Sequence, residues 1–425
     1  MAWDFITEPE FQEKLDWTSE FVREHVEPLD VLWPWDNYKE LTPEQAAVVL
    51  PLKEQVRAQG LWACHLGPEL GGKGYGQLKL AQLNEILGRT YWGPRIFGCA
   101  PPDTGNAEIL AHFGTAEQKA RYLQPLLDGD IVSCYSMTEP QGGADPAVFT
   151  TTATRDGDEW IINGWKYFSS NARYATFLIV MAVTDPNAGL YQGMSMFIVP
   201  ADAPGVDMVR HVAAAGEPDE HGSHSLIHYD NVRVPQDAML GGEGQAFLVA
   251  QTRLGGGRVH HSMRAVGMAQ RSLDAMAERA LSRVTKGQQL ANFEFVQGDL
   301  ADSYLQVQQL RLLVMYTAWK IDKYEDYNLV RKEISAIKVA APKVLEDVAR
   351  RAIQLHGALG ISNDVPFMGF MLWGIHMALA DGPTEVHKVT IARQLLRDYQ
   401  GIDEMWPTEY IPHRREKANQ ELLGK

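Results

Sequence analysis

The sequence predicts a mainly α-helical protein with a central β domain. Apolar residues recur at spacings of three and four up to about residue 130, and the helical spacing returns after Gly244. Between about 130 and 235 the apolar period is two and β-branched residues are frequent. Because these periods are typical of amphipathic helices and of strands, we predict an N-terminal all-α domain (1–130), an antiparallel β-sheet domain (131–244), a C-terminal helical domain (245–405) and a polar tail (406–425).

Four helices are predicted in the N-terminal domain. The first apolar stripe begins at Phe11 and ends where Pro28 interrupts the pattern, because proline lacks the N–H that an interior turn needs. Thr42 followed by Pro43 is a helix start with an N-cap threonine. Further helical patterns cover residues 78–88 and 115–127.

A β-hairpin is predicted in the central domain. Two strand-like runs, 149–154 and 160–162, flank an Asp156-Gly157 step that is typical of a tight turn. Apolar runs at 177–183, 195–199 and 232–234 predict further strands. In the C-terminal domain, Ile334, Ile337, Ala341, Leu345 and Val348 form one apolar stripe, which predicts a helix packed against other helices or a second subunit.

The overall charge narrows the possible partners. The chain of 425 residues has a formal net charge of -15, with 45% hydrophobic and 22% charged residues. This acidic balance argues against nucleic acid and against an anionic membrane surface as the main partner. The composition predicts an ordinary soluble globular protein, in which a local basic patch could still accept a phosphorylated ligand.

The cysteines indicate a reducing compartment, and the N-terminal residues and apolar runs give no signal for export or for a membrane span. Cys64, Cys99 and Cys134 stand far apart without a C-x-x-C pair. The first ten residues are acidic and lack the basic-then-apolar order of an export signal. Since no apolar run approaches about 20 residues, we expect no membrane span and a cytoplasmic location.

Two neighbouring segments, 133–146 and 162–171, combine turn chemistry with strand patterns. The first ends in Thr138-Glu-Pro followed by a two-glycine turn, which offers backbone N–H groups and close approach to a flat ligand. The second carries Phe168, Ser169, Ser170 and Asn171, so that an aromatic ring and hydroxyl groups lie within a few residues. Together they predict a site for a planar ligand with polar edges.

These segments and three others resemble the acyl-CoA dehydrogenase family over nearly the whole chain. The matching residues, in order, are Gly60-Leu-Trp-Ala63, Thr138-Glu-Pro-Gln-Gly-Gly-Ala-Asp145, Ile162-Asn-Gly-Trp-Lys-Tyr-Phe-Ser-Ser-Asn171, Gln354-Leu-His-Gly-Ala-Leu-Gly360 and Ala380-Asp-Gly-Pro-Thr-Glu-Val-His387. The resemblance implies a C-terminal four-helix bundle, non-covalent FAD, an acyl-CoA substrate and an electron-transferring flavoprotein as acceptor. It also implies a homotetramer or homodimer in which a partner subunit completes each flavin site.

The resemblance implies that Asp381 is the base that removes the substrate's α-proton. The family usually has glutamate here, and this chain resembles a subgroup with aspartate. The alternative family position for the base lies just before Arg258, where Gly255-Gly-Gly257 offers no carboxylate. In a dry pocket, we expect desolvation to raise the pKa of Asp381 towards the working pH.

The other site residues are likewise implied by the resemblance. Flavin contacts are expected from Tyr135, Met137, Thr138, Gly143, Phe168, Ser170, Gly382 and Glu385. Contacts to the adenosine and pyrophosphate parts are expected from Arg283, Gln354, Gly357 and Ala358. Ala144 and Arg258 are expected to contact the substrate. Lys286 and Pro383 replace an aromatic and a small hydroxyl residue that are common in the family.

Other interpretations stay open at this point. A flavin oxidase of the same fold, similar to nitroalkane oxidase, would also use aspartate and needs no coenzyme A pocket. A flavin-bearing nucleic-acid-binding relative is disfavoured by the acidic charge. The histidines His260, His261, His356, His376 and His387 have no metal-site spacing, so we expect packed or hydrogen-bonded side chains and no metal.

Overall fold

The computed structural model describes residues 5–189, 191–214 and 216–425, and for Glu69, Leu254 and Gly255 it describes the backbone only. Residues 1–4, part of the segment considered for an export signal, lie outside this range. Gly255, which begins the glycine run before Arg258, is described only as part of a helix backbone.

The N-terminal part is helical, as predicted. Its helices are α1 (Pro9–Phe21), α2 (Glu27–Leu32), α3 (Pro43–Ala58), α4 (Gly76–Leu87), α5 (Gly93–Ile96), α6 (Asp103–Phe113), α7 (Ala116–Gln118) and α8 (Gln124–Asp128), with π-helical turns at Val22–Val26 and Lys119–Leu123. Thr42 caps α3: its hydroxyl accepts from the Gln45 backbone N–H and its own N–H donates to the Gln45 side chain.

The prediction that Pro28 ends the first helix is wrong. The chain passes through the π-helical turn and continues as α2 to Leu32, with Pro28 in the first turn of α2. A proline is tolerated there because first-turn N–H groups have no intrahelical acceptor.

The middle of the chain forms one mostly antiparallel sheet. Its strands are β1 (Ser133–Ser136), β2 (Thr152–Asp156), β3 (Glu159–Ser170), β4 (Phe177–Val183), β5 (Met194–Pro200), β6 (Val206–Val212), β7 (His224–Pro235) and β8 (Met239–Leu240). The order is β6-β7-β3-β1-β4-β5-β8, with β2 beside β3 and β4. The predicted hairpin is confirmed, since Asp156 pairs with Glu159 across the turn.

Two features of the sheet differ from the prediction. β1 pairs with β4 in parallel, with Ser133 opposite Phe177. The segment that contains β2 and β3 supplies the long connection that a parallel pair requires. Strand β6 was not predicted. It lies at the sheet edge and carries exposed polar residues such as Asp207 and Arg210, so its alternation with apolar residues is weak.

The C-terminal part is again helical. It contains α9 (Ala246–Ser282), a short ribbon of β9 (Val284–Thr285) and β10 (Gln288–Gln289), α10 (Glu294–Tyr324), α11 (Arg331–His356), α12 (Phe367–Leu379), α13 (Thr384–Leu396) and α14 (Ile411–Leu423). The predicted stripe of α11 is buried in a core shared with α9, α10 and α12. The predicted tail contains α14, whose side chains are exposed.

Among the described residues, no helix combines the length and the apolar character that crossing a membrane requires. The domain boundaries at 130, 244 and 405 stay predictions.

Candidate active site

A central cavity lies where the N-terminal helices, the sheet and the C-terminal helices meet. Side chains from all three parts line this central cavity, among them Tyr38, Tyr91, Ser170, His224, Arg253, His261, Lys338, Trp373, His376 and Asp381. Two of the predicted site residues, Asp381 and Ser170, are therefore in the wall of the same cavity.

Asp381 lies in the turn between α12 and α13. Its backbone φ is 56° and that of Gly382 is 100°, so both residues are in the left-handed region. Aspartate tolerates this region better than most residues because its short side chain is polar. The side chain is 28% exposed, and its Oδ2 atom is 3.9 Å from Nε2 of His261.

Arg258 contacts the same turn through the backbone. Its Nη2 atom donates a hydrogen bond of 3.1 Å to the carbonyl oxygen of Asp381. The predicted contact of Arg258 with substrate stays a prediction, and this hydrogen bond supports a role in holding the turn. Arg258 lies on α9, so the bond joins two separate elements of the C-terminal part.

The expected rise in the pKa of Asp381 is not what the structure gives. Burial raises this pKa, but the surrounding positive charges lower it more and hold it at about 2. The largest lowering contribution is that of His261 in its protonated form, followed by the charges of Arg253, Lys338 and Arg258. Burial also lowers the pKa of His261 to about 4. At neutral pH the pair is therefore a carboxylate beside a neutral imidazole.

Two predicted residues of the sheet have direct contacts with side chains that line the central cavity. The guanidinium carbon of Arg253 lies 4.0 Å from the ring centre of Tyr135. The hydroxyl of Ser170 is 2.9 Å from Nδ1 of His224. Arg253 is itself fixed by a 3.0 Å hydrogen bond from its Nε to the side-chain oxygen of Asn106. The Tyr135 ring and the Ser170 hydroxyl therefore lie next to residues of the cavity wall.

Phe168 presents an aromatic ring beside this wall. The ring is 43% exposed, and the backbone φ of Phe168 is 53°. Its ring centre lies 5.4 Å from that of His224. An exposed ring held by a left-handed backbone, with the Ser170 hydroxyl two residues away, suits stacking against a flat ligand.

The turn after β1 leaves little space for a side chain at Gly143. A Cβ atom there would lie 3.1 Å from Cγ2 of Thr138, so the Thr138 side chain packs directly against the glycine backbone. Gly143 and Ala144 are exposed on the other side, so a ligand can approach their backbone without meeting a side chain at Gly143. The residues present thus fit a planar group with polar edges.

A buried ion pair holds this turn in place. Nζ of Lys166 on β3 donates to the carbonyl of Met137 at 2.8 Å and to Glu139 at 2.9 Å. The two charged side chains are 0% and 1% exposed. Glu139 also accepts from the backbone N–H groups of Thr150 and Thr151. Met137 and Thr138 therefore follow a strand end that is fixed on several sides.

Some predicted residues do not line the cavity within one chain. Arg283 lies at the end of α9, and Gln354, Gly357 and Ala358 lie at the end of α11; all four are exposed. Glu385 is exposed in the first turn of α13. Within the described part of the chain, these five residues are not part of the cavity wall.

Sequence reasoning missed several residues of the cavity wall. Arg253 was not considered, and His261 was assigned to packing. Arg253, His261 and Arg264 lie eight and then three residues apart along α9, a spacing that places all three on one helix face. Lys338 stands inside the apolar stripe of α11. A charged residue in such a stripe is a signal that could have found it.

Three family models match successive parts of the chain: "Acyl-CoA dehydrogenase, N-terminal domain" over residues 8–130, the middle domain over residues 134–232 and the C-terminal domain over residues 244–396.

Similar proteins carry related names. The chain is 42% identical over 386 residues to "Probable acyl-CoA dehydrogenase FadE2" of Mycobacterium tuberculosis, covering 88% of this chain and 92% of the relative. It is 37% identical to "Acyl-CoA dehydrogenase family member 11" of Rattus norvegicus, covering 91% of this chain but only 50% of that relative. A solved structure from Mycobacterium abscessus, assigned to the acyl-CoA dehydrogenases, has a TM-score of 0.86 at 38% identity, covering 93% of this chain and 100% of the other.

Proposed function

Because this chain belongs to the acyl-CoA dehydrogenase family, we propose that it oxidises an acyl-CoA thioester to the trans-2-enoyl-CoA with FAD as cofactor and Asp381 as the base. The observation that carries this proposal is the position of Asp381. Its carboxylate lies in the wall of the central cavity, which Ser170 of the predicted flavin site also lines.

FAD, when bound, supplies the acceptor for the hydride that leaves the substrate's β-carbon. We propose that Met137, Thr138, Phe168 and Ser170 hold its ring system. The exposed ring of Phe168 and the tight Thr138–Gly143 contact fit such a flat group. Arg283, Gln354, Gly357 and Ala358 would hold the remainder, from a second subunit, because these residues are exposed on helix ends.

The role of Asp381 is to take the α-proton onto a carboxylate oxygen. The positive charges around it keep the carboxylate ionised at neutral pH, so it is ready to accept a proton. Substrate binding would remove water from the exposed part of the side chain, and this would raise its pKa towards that of a better base. The backbone N–H of Asp381 is the donor that we propose for the thioester oxygen, a contribution of about 3 kcal/mol.

The proposed electron acceptor is an electron-transferring flavoprotein, and the proposed assembly is a homotetramer or homodimer. Both follow from family membership.

Flavin bleaching under anaerobic conditions tests the function directly. Purified protein is expected to be yellow or to be reconstituted by FAD, and at least one acyl-CoA of a panel should bleach the flavin. In Asp381→Asn the rate of bleaching should fall by about 10²- to 10⁴-fold with FAD retained, because a general base has been removed. Asp364→Asn, at an exposed position in the loop before α12, is the matched control and should bleach at the parental rate.

Two results would contradict the proposal. One is an Asp381→Asn variant that bleaches as fast as the parent, which would exclude this residue as the base. The other is a parent protein that forms peroxide with a nitroalkane and oxygen but is not bleached by acyl-CoA thioesters. That result would instead favour the flavin oxidase interpretation.

A further inference from the structure

A buried lysine on α11 contacts the end of the helix that precedes Asp381. The side chain of Lys338 donates from Nζ to the carbonyl oxygens of Met377 and Ala380, both at 2.7 Å. Lys338 is 3% exposed. In the proposed mechanism this group is only one of the charges near Asp381. Burying a lysine is costly unless it is well paired, so its direct contacts need a further explanation.

The two carbonyls are groups that the helix itself leaves without partners. The last C=O groups of an α-helix have no intrahelical donor, and α12 ends at Leu379. Lys338 satisfies one carbonyl inside the last turn and one just beyond it. A single amine therefore fixes the direction in which the chain leaves α12, one residue before Asp381.

A second side chain fixes the residue that follows. Nε2 of His387 on α13 lies 3.2 Å from the carbonyl oxygen of Asp381, and its Nδ1 lies 3.4 Å from the hydroxyl of Ser335 on α11. A Cβ atom at Gly382 would lie 3.0 Å from Nε2 of His387. His387 is 3% exposed, so the turn is packed tightly against it.

The backbone of the turn needs such support. Asp381 and Gly382 both have positive φ values, 56° and 100°. A non-glycine residue in this region costs energy and persists where the surrounding contacts over-determine the conformation. The contacts of Lys338, His387 and Arg258 with this turn come from three different helices and maintain its backbone conformation.

We propose that Lys338 is a positioning residue that, with His387, holds the turn of residues 380–382 so that the Asp381 carboxylate points into the central cavity. This inference rests on the proposed function for its catalytic consequence. Lys338 acts through the backbone of the turn and through its charge. It takes no proton from the substrate.

The test compares Lys338→Met with Lys343→Met. Methionine keeps an unbranched side chain at 338 while removing both hydrogen bonds. Lys343 lies on the same helix, has a side chain that is 74% exposed and pairs with Asp347, so its variant controls for the loss of one lysine from α11. FAD content, thermal unfolding and the dependence of bleaching rate on acyl-CoA concentration are measured for both.

We expect Lys338→Met to lower the limiting rate of bleaching by about 10²-fold, since a misplacement of about 1 Å at a reacting group has such an effect. The half-saturating acyl-CoA concentration and FAD content should change by less than about threefold. Lys338→Arg, which keeps a cationic donor, should recover part of the rate. A Lys338→Met variant with the parental limiting rate would overturn the inference, as would an equal loss in Lys343→Met.

Hydrogen exchange separates this inference from the proposed function. Peptides that cover residues 377–384 should exchange faster in Lys338→Met than in the parent, and Lys343→Met should match the parent. If no acyl-CoA bleaches the parent, the proposed function fails, and unchanged exchange in this segment would overturn the positioning role separately. If Lys338→Met does not fold, His387→Gln is measured in the same way, and parental exchange together with the parental rate overturns the inference.

Discussion

At the level of single residues, the charges around Asp381 determine its protonation. Burial acts to raise its pKa, yet the cationic groups in the cavity wall outweigh burial and bring the pKa to about 2. Protonated His261 has the largest lowering influence, but burial lowers the pKa of His261 itself to about 4, so that at neutral pH the charges of Arg253, Lys338 and Arg258 remain. The structure therefore shows a carboxylate that is ionised at neutral pH, whereas the sequence suggested one whose pKa is raised by desolvation.

This protonation leads to a prediction about pH. Neither Asp381 nor His261 changes charge between about pH 5 and 8, because both pKa values lie below that range, at about 2 and about 4. We expect kcat/KM for acyl-CoA oxidation to show no acid-side loss from these groups above about pH 5. Steady-state rates across this range check the prediction, with protein stability measured at each pH. An acid limb with an apparent pKa between about 6 and 7, absent from His261→Asn, would contradict it.

At the level of elements, the junction between β1 and β3 depends on one buried ion pair. Lys166 reaches from β3 to both Met137 and Glu139. Burial raises the pKa of Glu139, but Lys166 and the hydrogen bonds to the carboxylate lower it by more, so that the pKa is about 2. Its charge therefore stabilises the fold above about pH 4.5, and this stabilisation is lost as the pH falls towards about 2.

Removing only one charge of this ion pair should destabilise the fold more than removing both charges. We expect Glu139→Gln to lower the free energy of unfolding by about 3–5 kcal/mol, because it leaves the Lys166 charge buried without its counter-charge. The double variant Glu139→Gln/Lys166→Met should recover a substantial part of this loss. Denaturant unfolding at neutral pH measures the three proteins.

The matched control is a variant of an exposed pair on the same sheet. Arg233 on β7 pairs with Asp156 and Glu159, and its side chain is 50% exposed. Arg233→Met should cost less than about 1 kcal/mol, since exposed ion pairs contribute little. A double variant that is as unstable as Glu139→Gln would show that the buried charge is not the cause.

At the level of the whole molecule, only some of the predicted cofactor-binding residues of one chain lie at its central cavity. Asp381 and Ser170 line the cavity, whereas Arg283 and Gln354 lie exposed at helix ends. Several large apolar side chains of the C-terminal helices are also exposed, including Phe295 at 93% and Leu396 at 69%. Burial of such side chains by a second copy would be favourable, which is consistent with assembly from more than one copy.

This arrangement predicts a coupling between assembly and flavin binding. Light scattering should give two or four times the 47.5 kDa mass of the chain. Arg283→Ala should raise the Kd for FAD about tenfold or more, because a charge-assisted contact is worth about 1.5–3 kcal/mol. Arg23→Ala, at a side chain that is 68% exposed, serves as the control and should bind FAD as the parent does. A monomer that binds FAD normally would contradict the prediction.

Local chemistry explains what the sequence determined by itself. The Thr42 cap and the Asp156-Gly157 turn depend on residues that are close in the chain, and both are present in the structure. The alternation between helical and strand periods likewise predicted the order of helical, β and helical parts. The five ordered motifs predicted the family, and they drew attention to Asp381, Thr138 and Ser170.

Only the tertiary structure decided what surrounds these residues. The low pKa of Asp381, the contact of Arg258 with a backbone carbonyl and the two hydrogen bonds of Lys338 all involve groups at least 39 residues apart in the chain. The parallel pairing of β1 with β4 and the edge position of β6 are equally non-local. Electrostatic and hydrogen-bonding partners are set by distance in space, and the packing of helices from separate parts of the chain determines that distance.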